Sequence, residues 1–297
     1  MVYRDRRALE GLDVEMVDGD ILDRPSLERA FDGAELVYHL AAHISISSCE
    51  SRLVHDTNVL GTRNVVETCL ATSSVRRLVH ASSIHAFCQM PLDEIIDEER
   101  PLADTGPCAE YDRSKARGER EVRRGVEGGL DAVIAVPGAV LGPFDFKPSH
   151  MGQVLLAIYK GLMPALVPGG YNWVDARDVA GGIISVAEAG ETGEKYLLTG
   201  HWQSLRDLAL VIEHTAGRQA PRMTVPLWMA SLFAPVAEGA SKVMGTRPIF
   251  TTEAVRVLRG NSRFAHDKAA RELGYRPRPV EDTVRDTIDW FVSAGMA

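Results

Sequence analysis

The sequence predicts an α/β protein, a parallel sheet covered by helices and followed by a smaller, mostly helical lobe. Three observations lead there. Over the first 145 residues short apolar runs alternate with longer amphipathic stretches, the βαβα order of a doubly wound sheet. The apolar runs, such as "AELVYHLAA" at 34–42, are continuous rather than alternating, which suits strands buried on both faces. Past Phe144 helical periodicity dominates, so the chain divides into a sheet-bearing part (1–145) and a lobe (146–297) that returns some strands to the main sheet.

Taken in order, Val2-Tyr3 reads as the end of a strand and Arg4-Asp5-Arg6-Arg7 as a charged turn. Val14 to Val17 reads as a further strand, closed by Asp18-Gly19-Asp20. The run at 34–42 is the next strand, and a helix follows over 51–72 with Val59, Val66 and Leu70 on one face. "RRLVHASS" (76–83) is a strand and "EYDRSKARGEREVRR" (110–124) a helix laced with i,i+4 charge pairs. "LDAVIAVPGAVLGP" (130–143) is a strand interrupted by Pro137 and Gly138. In the lobe a helix covers 151–160, and "WVDARDVAGGIISVAEAG" (173–190) offers Asp178 as an N-cap. "KYLLTG" is a strand, and Ser204 with Asp207 forms a capping box for the helix after it. From Pro221 the chain is helical and punctuated by proline, ending in "AHDKAARELGYRP" and a helix through Trp290.

A net charge of -8 argues against a nucleic-acid surface, which wants a basic face. Met223 to Ala237, the longest uncharged stretch of the last third, is too short to span a bilayer. Within it "VPLWMASLFAPVA" (225–237) reads as a helix packed in the lobe, or as an apolar flap near the substrate entrance that could touch a membrane surface. Cys49, Cys69, Cys88 and Cys108 lie far apart, with neither a C-x-x-C pair nor zinc spacing. They read as free thiols of a reducing cytoplasm, and no metal site is expected.

Tyr111 and Lys115 form a Y-x-x-x-K pair, and a spacing of four puts both on one helix face, one turn apart. A tyrosine near its usual pKa of about 10 is a poor base at neutral pH, and a nearby ammonium should lower that value. Such a pair can move a proton to or from an alcohol oxygen. Ser82-Ser83 closes the strand "LVHASS", which sets a hydroxyl at the carboxyl end of a parallel strand, where ligands bind. That hydroxyl can hold a substrate oxygen beside the tyrosine, or simply close a turn. Together, strand, Ser-Ser, loop and Y-x-x-x-K helix carry more information than either part alone.

These motifs make the chain resemble the extended short-chain dehydrogenases/reductases, in the epimerase/dehydratase and dihydroflavonol-reductase-like group. The resemblance implies a Rossmann-like, doubly wound parallel sheet that binds NAD or NADP. It makes Ser83, Tyr111 and Lys115 the catalytic residues, with Lys115 also orienting the nicotinamide ribose. "DGDILD" resembles the adenine-contacting turn, through Asp20 and Ile21, and "VYHLAA" the strand whose end, Leu40-Ala41-Ala42, lines the cofactor. "NVLGT" supplies the family's helical Asn58, Ser82 borders the cofactor beside Ser83, and "VPGAVLGP" resembles the turn that meets the nicotinamide, with Pro137, Gly138 and Val140. "WVDARDVA" and "DKAARELGYRP" resemble segments of the substrate lobe.

The sequence departs from the family in two places. No G-x-x-G-x-x-G opens a helix after a strand, so the sheet is expected to lack its first strand and helix, with Val2-Tyr3 as the end of the second family strand. Such a chain should hold the cofactor poorly, and Met1 reads as a false start. Where nucleotide-sugar enzymes commonly bring an arginine to a diphosphate, this chain reads Gly169-Gly170-Tyr171-Asn172-Trp173, which favours a less charged substrate. His85, Phe87, His150, Tyr171 and Trp173 are the expected pocket residues, and Arg4 leans the cofactor toward NADP. Three activities remain open: a ketone reductase or secondary-alcohol dehydrogenase, a sugar epimerase or dehydratase with retained cofactor, and a non-catalytic remnant. A homodimer through helices 51–72 and 110–125 is expected, with a small-molecule substrate and neither nucleic acid nor a membrane span.

Overall fold

The computed structural model describes residues 6–44, 50–106, 108–232, 258 and 260–297. The chain enters through α1 (Arg24–Phe31), where Pro25 stands in the first turn and Leu27 and Phe31 face the core. Strand β1 (Leu36–His39) follows, then a continuous helix made of α2 (Ser51–His55), a π-helical segment (Asp56–Gly61) and α3 (Thr62–Ala71). Next come β2 (Arg77–Ala81), the long α4 (Glu110–Glu127) and β3 (Ala132–Pro137).

The strand expected over 130–143 divides at Gly138. A side chain there would press within 2.7 Å of the Asn172 carbonyl and 2.9 Å of its Oδ1, so only glycine lets the crossing strand approach. Beyond it β4 (Ala139–Leu141) leaves the main sheet. The lobe continues with α5 (His150–Tyr159), β5 (Ala165–Leu166), β6 (Gly170–Asp175), α6 (Ala176–Ala189), β7 (Lys195–Leu198), β8 (His201–Ser204) and α7 (Leu205–Ala216). It closes with β9 (Met223–Thr224), α8 (Asp267–Leu273) and α9 (Val280–Ser293).

Among the described residues the main sheet is parallel, in the order β1-β2-β3-β7. Its register sets Val37 beside Leu78, Val79 beside Val133 and Ala135 beside Tyr196. Leu78, Val79, Val133 and Leu197 are fully buried, each large aliphatic worth roughly 1.5–3 kcal/mol. The lobe adds a sheet of order β4-β6-β8 and the small pair β5-β9. Leu155, Ile158, Leu208, Ile212 and Phe291 build its separate core.

Two expectations about elements are corrected. Residues 14–17 form no strand, because β1 lies at the end of the described sheet and no ladder joins the two. Val14, Met16 and Val17 stay 47–52 % exposed, and Leu36 and Tyr38 turn outward on β1. The N-cap of α6 is Asp175, whose carboxylate accepts the Arg177 N–H at 2.8 Å. Asp178 instead takes the fork of Arg278, with Nη2 at 2.7 Å and Nε at 3.0 Å, fastening the chain ahead of α9. The capping box at Ser204 and Asp207 is present as read. In the run 225–237, residues 227–232 are helical with Trp228 and Leu232 exposed, and 233–237 lie outside the described residues.

Candidate active site

The site forms where β2 ends and α4 begins. Helical spacing puts Tyr111, Lys115 and Glu119 on successive turns of one face of α4, the face turned to the sheet. At the end of β2 the Ser83 hydroxyl accepts the His85 N–H at 3.3 Å and caps a short 3-10 turn, Ile84–Ala86. The Ser83 side chain also stands beside Tyr111, near enough to favour its ionised form. The turn reading of this serine holds, and its hydroxyl stands beside the tyrosine.

The electrostatics of the pair differ from expectation. Burial pushes the Tyr111 hydroxyl up to about 12; the Ser83 hydroxyl beside it offsets part of this, and the Asp112 carboxylate adds to it. Lys115 does not pull it down, because its ammonium points to the Ala81 carbonyl at 2.9 Å. Burial lowers Lys115 itself to about 8, with Glu119 holding it up in part. At neutral pH the tyrosine is thus a proton donor, and the lysine carries its charge.

Ser82 faces elsewhere. Its hydroxyl donates to Glu119 at 2.5 Å, and the other Glu119 oxygen takes the Lys195 ammonium at 2.7 Å, all three buried. Its side chain is thus taken up within the protein, on the face turned to β7. Asn58 is likewise occupied. Its amide bonds both the N–H and the carbonyl of His43, at 2.7 and 3.0 Å, and the Ser114 hydroxyl at 2.9 Å. It braces the loop after β1 against α4, a positioning task served by the π-helical segment that carries it.

The remaining cofactor candidates divide by exposure. Leu40, Ala41 and Ala42 lie open at the carboxyl end of β1. The Asp20 carboxylate accepts the Leu22 N–H in the turn before α1, while Ile21 packs over Gly61. Pro137 and Gly138 end β3, and Val140 is exposed on β4. Arg4 lies outside the described residues. Strand end, buried lysine and tyrosine fit the nicotinamide-ribose end of a dinucleotide, and the turn at Asp20 is open to its adenine end. A glycine-rich strand-to-helix turn for the diphosphate is absent from the 297 residues.

A cavity of about 70 Å³ opens at the ends of β2 and β3, lined by Ile84, His85, Gln89, Tyr171, Asn172 and Phe264 among others. It brings together two of the five expected pocket residues, His85 and Tyr171. The other three serve elsewhere. Phe87 is fully buried in the main core beneath the Lys195 ammonium. Trp173 is buried in the lobe core, its indole N–H on the Gln203 carbonyl at 3.0 Å. His150 opens α5 and does not line this cavity.

Sequence reasoning missed three features. Asp112 binds His85, with Oδ1 2.8 Å from Nδ1. Glu119 could have been found from its i+4 spacing to Lys115. His39 donates from Nε2 to the Thr62 hydroxyl at 3.0 Å, since that hydroxyl gives its own proton to the Asn58 carbonyl. The His80 ring lies 5.1 Å from that of His39. Burial holds His39 down at about 4, with Lys115 acting in the same direction, and His80 also lies well below its ordinary value.

Comparison with known proteins agrees with this geometry. Residues 2–199 match the model of the NAD dependent epimerase/dehydratase family. The chain is 33% identical over 294 residues to "Sterol demethylase protein B" of Methylococcus capsulatus, covering 98% of this chain and 89% of the relative. It is 30% identical over 291 residues to a "Putative dihydroflavonol 4-reductase" of Synechocystis, covering 97% and 84%. Among solved structures gox2253 superposes with TM-score 0.84 at 34% identity, covering 98% of this chain and 88% of that one. The Pseudomonas aeruginosa protein PA4631, described as a nucleoside-diphosphate-sugar epimerase, superposes with TM-score 0.78 at 29% identity, covering 98% and 87%. With Ser83, Tyr111 and Lys115 brought together in this way and a family match over two thirds of its length, the chain belongs to the NAD(P)-dependent epimerase/dehydratase family of extended short-chain dehydrogenases/reductases.

Proposed function

We propose that the protein transfers a hydride between a nicotinamide cofactor and a ketone or secondary alcohol on a largely uncharged substrate. The observation that carries this is Ser83 standing beside Tyr111 where β2 ends, with Lys115 one turn further along α4 and, on the other side of His85, a cavity whose described lining holds neither Lys nor Arg. The cofactor, when bound, supplies or accepts the hydride. Ser83 holds the substrate oxygen, and Tyr111, protonated at neutral pH, gives that oxygen its proton during reduction. Lys115 keeps a positive charge beneath the site and orients the ribose. The names of two relatives, one for sterol demethylation and one for dihydroflavonol reduction, support a polycyclic ketone or alcohol. The cation-free lining weighs against a nucleotide-sugar diphosphate.

Arg4 leans the cofactor choice toward NADP(H), and free thiols at Cys69, Cys88 and Cys108 favour a cytoplasmic setting. No described helix is long and apolar enough to cross a membrane. The test is NADPH consumption with a panel of steroid and flavonoid ketones. Stoichiometric oxidation of NADPH with formation of the alcohol is expected; turnover of a sugar nucleotide without net oxidation would refute the reading.

A further inference from the structure

The apolar stretch 225–237 has no part in the reaction as derived above. Of its described residues, Leu227 and Ala230 pack against the lobe core. Trp228 and Leu232, one helical turn apart, face outward and are 64% and 65% exposed. The pair β5–β9 fastens this stretch to a second one. Ala165 lies beside Met223 and Leu166 beside Thr224, and the Val225 N–H donates to the Leu166 carbonyl at 2.8 Å. That ladder brings Leu162, three residues ahead of it and 70% exposed, into the neighbourhood of Met223, 67% exposed. A single apolar side chain at the surface needs no explanation, but four large ones on two joined segments mark an interaction surface.

Charge tells what that surface meets. The protein carries a net charge of -8, yet neither Asp nor Glu occurs in 146–174 or in 214–237. Lys160, Arg218 and Arg222 are exposed in these two segments, and among the described residues none of the three pairs with a carboxylate. The Arg218 guanidinium rests over the Tyr159 ring, 5.2 Å from its centroid. Glu213 borders the region, and its carboxylate accepts the Ala220 N–H at 3.3 Å. Unpaired cations beside exposed Trp, Leu and Met complement a surface that is anionic outside and apolar just beneath. A second copy of this chain complements it less well, because a two-fold contact here would set the same cations against one another. We propose that this face of the lobe docks the protein peripherally on an anionic lipid bilayer. Leu162, Met223, Trp228 and Leu232 enter the interface, and Lys160, Arg218 and Arg222 meet the headgroups. The docking is independent of the reaction assigned to the site.

Co-sedimentation of the full chain is compared on vesicles of phosphatidylcholine alone and of phosphatidylcholine mixed with phosphatidylglycerol. Binding should appear on the mixed vesicles only and should fall as salt is raised. Arg218→Gln combined with Arg222→Gln should weaken it about twenty-fivefold, from about fivefold per cation. Trp228→Glu should abolish it, whereas Ile184→Glu, at an exposed apolar position of α6, should bind as wild type does. A conservative variant separates docking from folding. Brominated phosphatidylcholine in the mixed vesicles should quench the fluorescence of the wild-type protein, and Trp228→Phe should remove most of that quenching while keeping the binding. No binding to the mixed vesicles, equal binding to both kinds, or equal quenching in wild type and Trp228→Phe would overturn the proposal. So would a dimer in vesicle-free solution that Trp228→Glu dissociates, which would give this face to a second copy of the chain.

Discussion

Lys115→Met removes a charge that the folded chain holds at a loss. Burial lowers Lys115 from its ordinary 10.5 to about 8. At about 1.4 kcal/mol per tenfold change, keeping it protonated in the fold costs about 3 kcal/mol. The direction follows from linkage: between about pH 8 and 10.5 the unfolded chain binds more protons than the folded one, so stability rises with pH there. Below pH 8 the whole penalty is present. Methionine matches the lysine in length and carries no charge, so it removes the penalty while leaving the Ala81 carbonyl without its donor, a loss of about 1–2 kcal/mol. The variant should therefore be about 1–2 kcal/mol more stable than wild type at pH 7. That gain should shrink toward zero and reverse by about pH 10.5. Urea denaturation at the two pH values measures it, and the same protein should show a large loss of turnover. A Lys115→Met variant clearly less stable than wild type at pH 7 would refute the reasoning, because it would mean that the lysine stabilises the fold it is buried in.

Other outcomes follow from the same geometry. Glu119→Gln should move the alkaline limb of the pH–rate profile to lower pH, since the carboxylate holds Lys115 up. It also leaves Lys195 buried and unpaired, at about 3–5 kcal/mol, which adding Lys195→Met should largely restore in a denaturation experiment. His39, down at about 4 against 6.5 unfolded, contributes stability that is complete above about pH 6.5 and lost as pH falls through 4. His39 should account for a loss of about 3 kcal/mol over that window in urea midpoints, and His39→Gln should remove that part while the slope from His80 remains. Leu53 and Leu70 are exposed on the helices expected to form a dimer, and light scattering at micromolar concentration should return twice the chain mass.

What the sequence made legible was chemistry written in local spacing. Tyr111 and Lys115 announce themselves by a separation of four, Ser83 by ending an apolar strand, and Ser204 with Asp207 by the capping box. Contacts between distant positions were not legible. His85 meets Asp112 across 27 positions and Ser82 meets Glu119 across 37, and no local pattern joins them. Asp178 looked like a cap because Asp is a good cap, but Arg278 claims it across 100 positions. Phe87 and Trp173 looked like pocket residues by type and proved to be core, since an aromatic fills either place equally well. Val14 to Val17 has strand composition, yet a strand exists only where a neighbour completes its ladder. The direction of the Tyr111 shift is not legible in the spacing, because a lysine one turn away can still point its charge at a backbone carbonyl.

Tyr111→Phe keeps the ring, its edge contact with His85 and the helix, and deletes only the proton donor. NADPH-dependent ketone reduction by the wild-type protein and this variant, with cofactor binding followed in parallel by NADPH fluorescence, isolates that deletion. Turnover should fall by roughly 10²–10⁴-fold, the usual worth of a positioned acid, while NADPH affinity stays close to that of wild type. A phenylalanine variant that reduces the same ketone at near wild-type rate would contradict the assignment of Tyr111 as the proton donor, and with it the hydride-transfer mechanism built on the Ser83–Tyr111 pair.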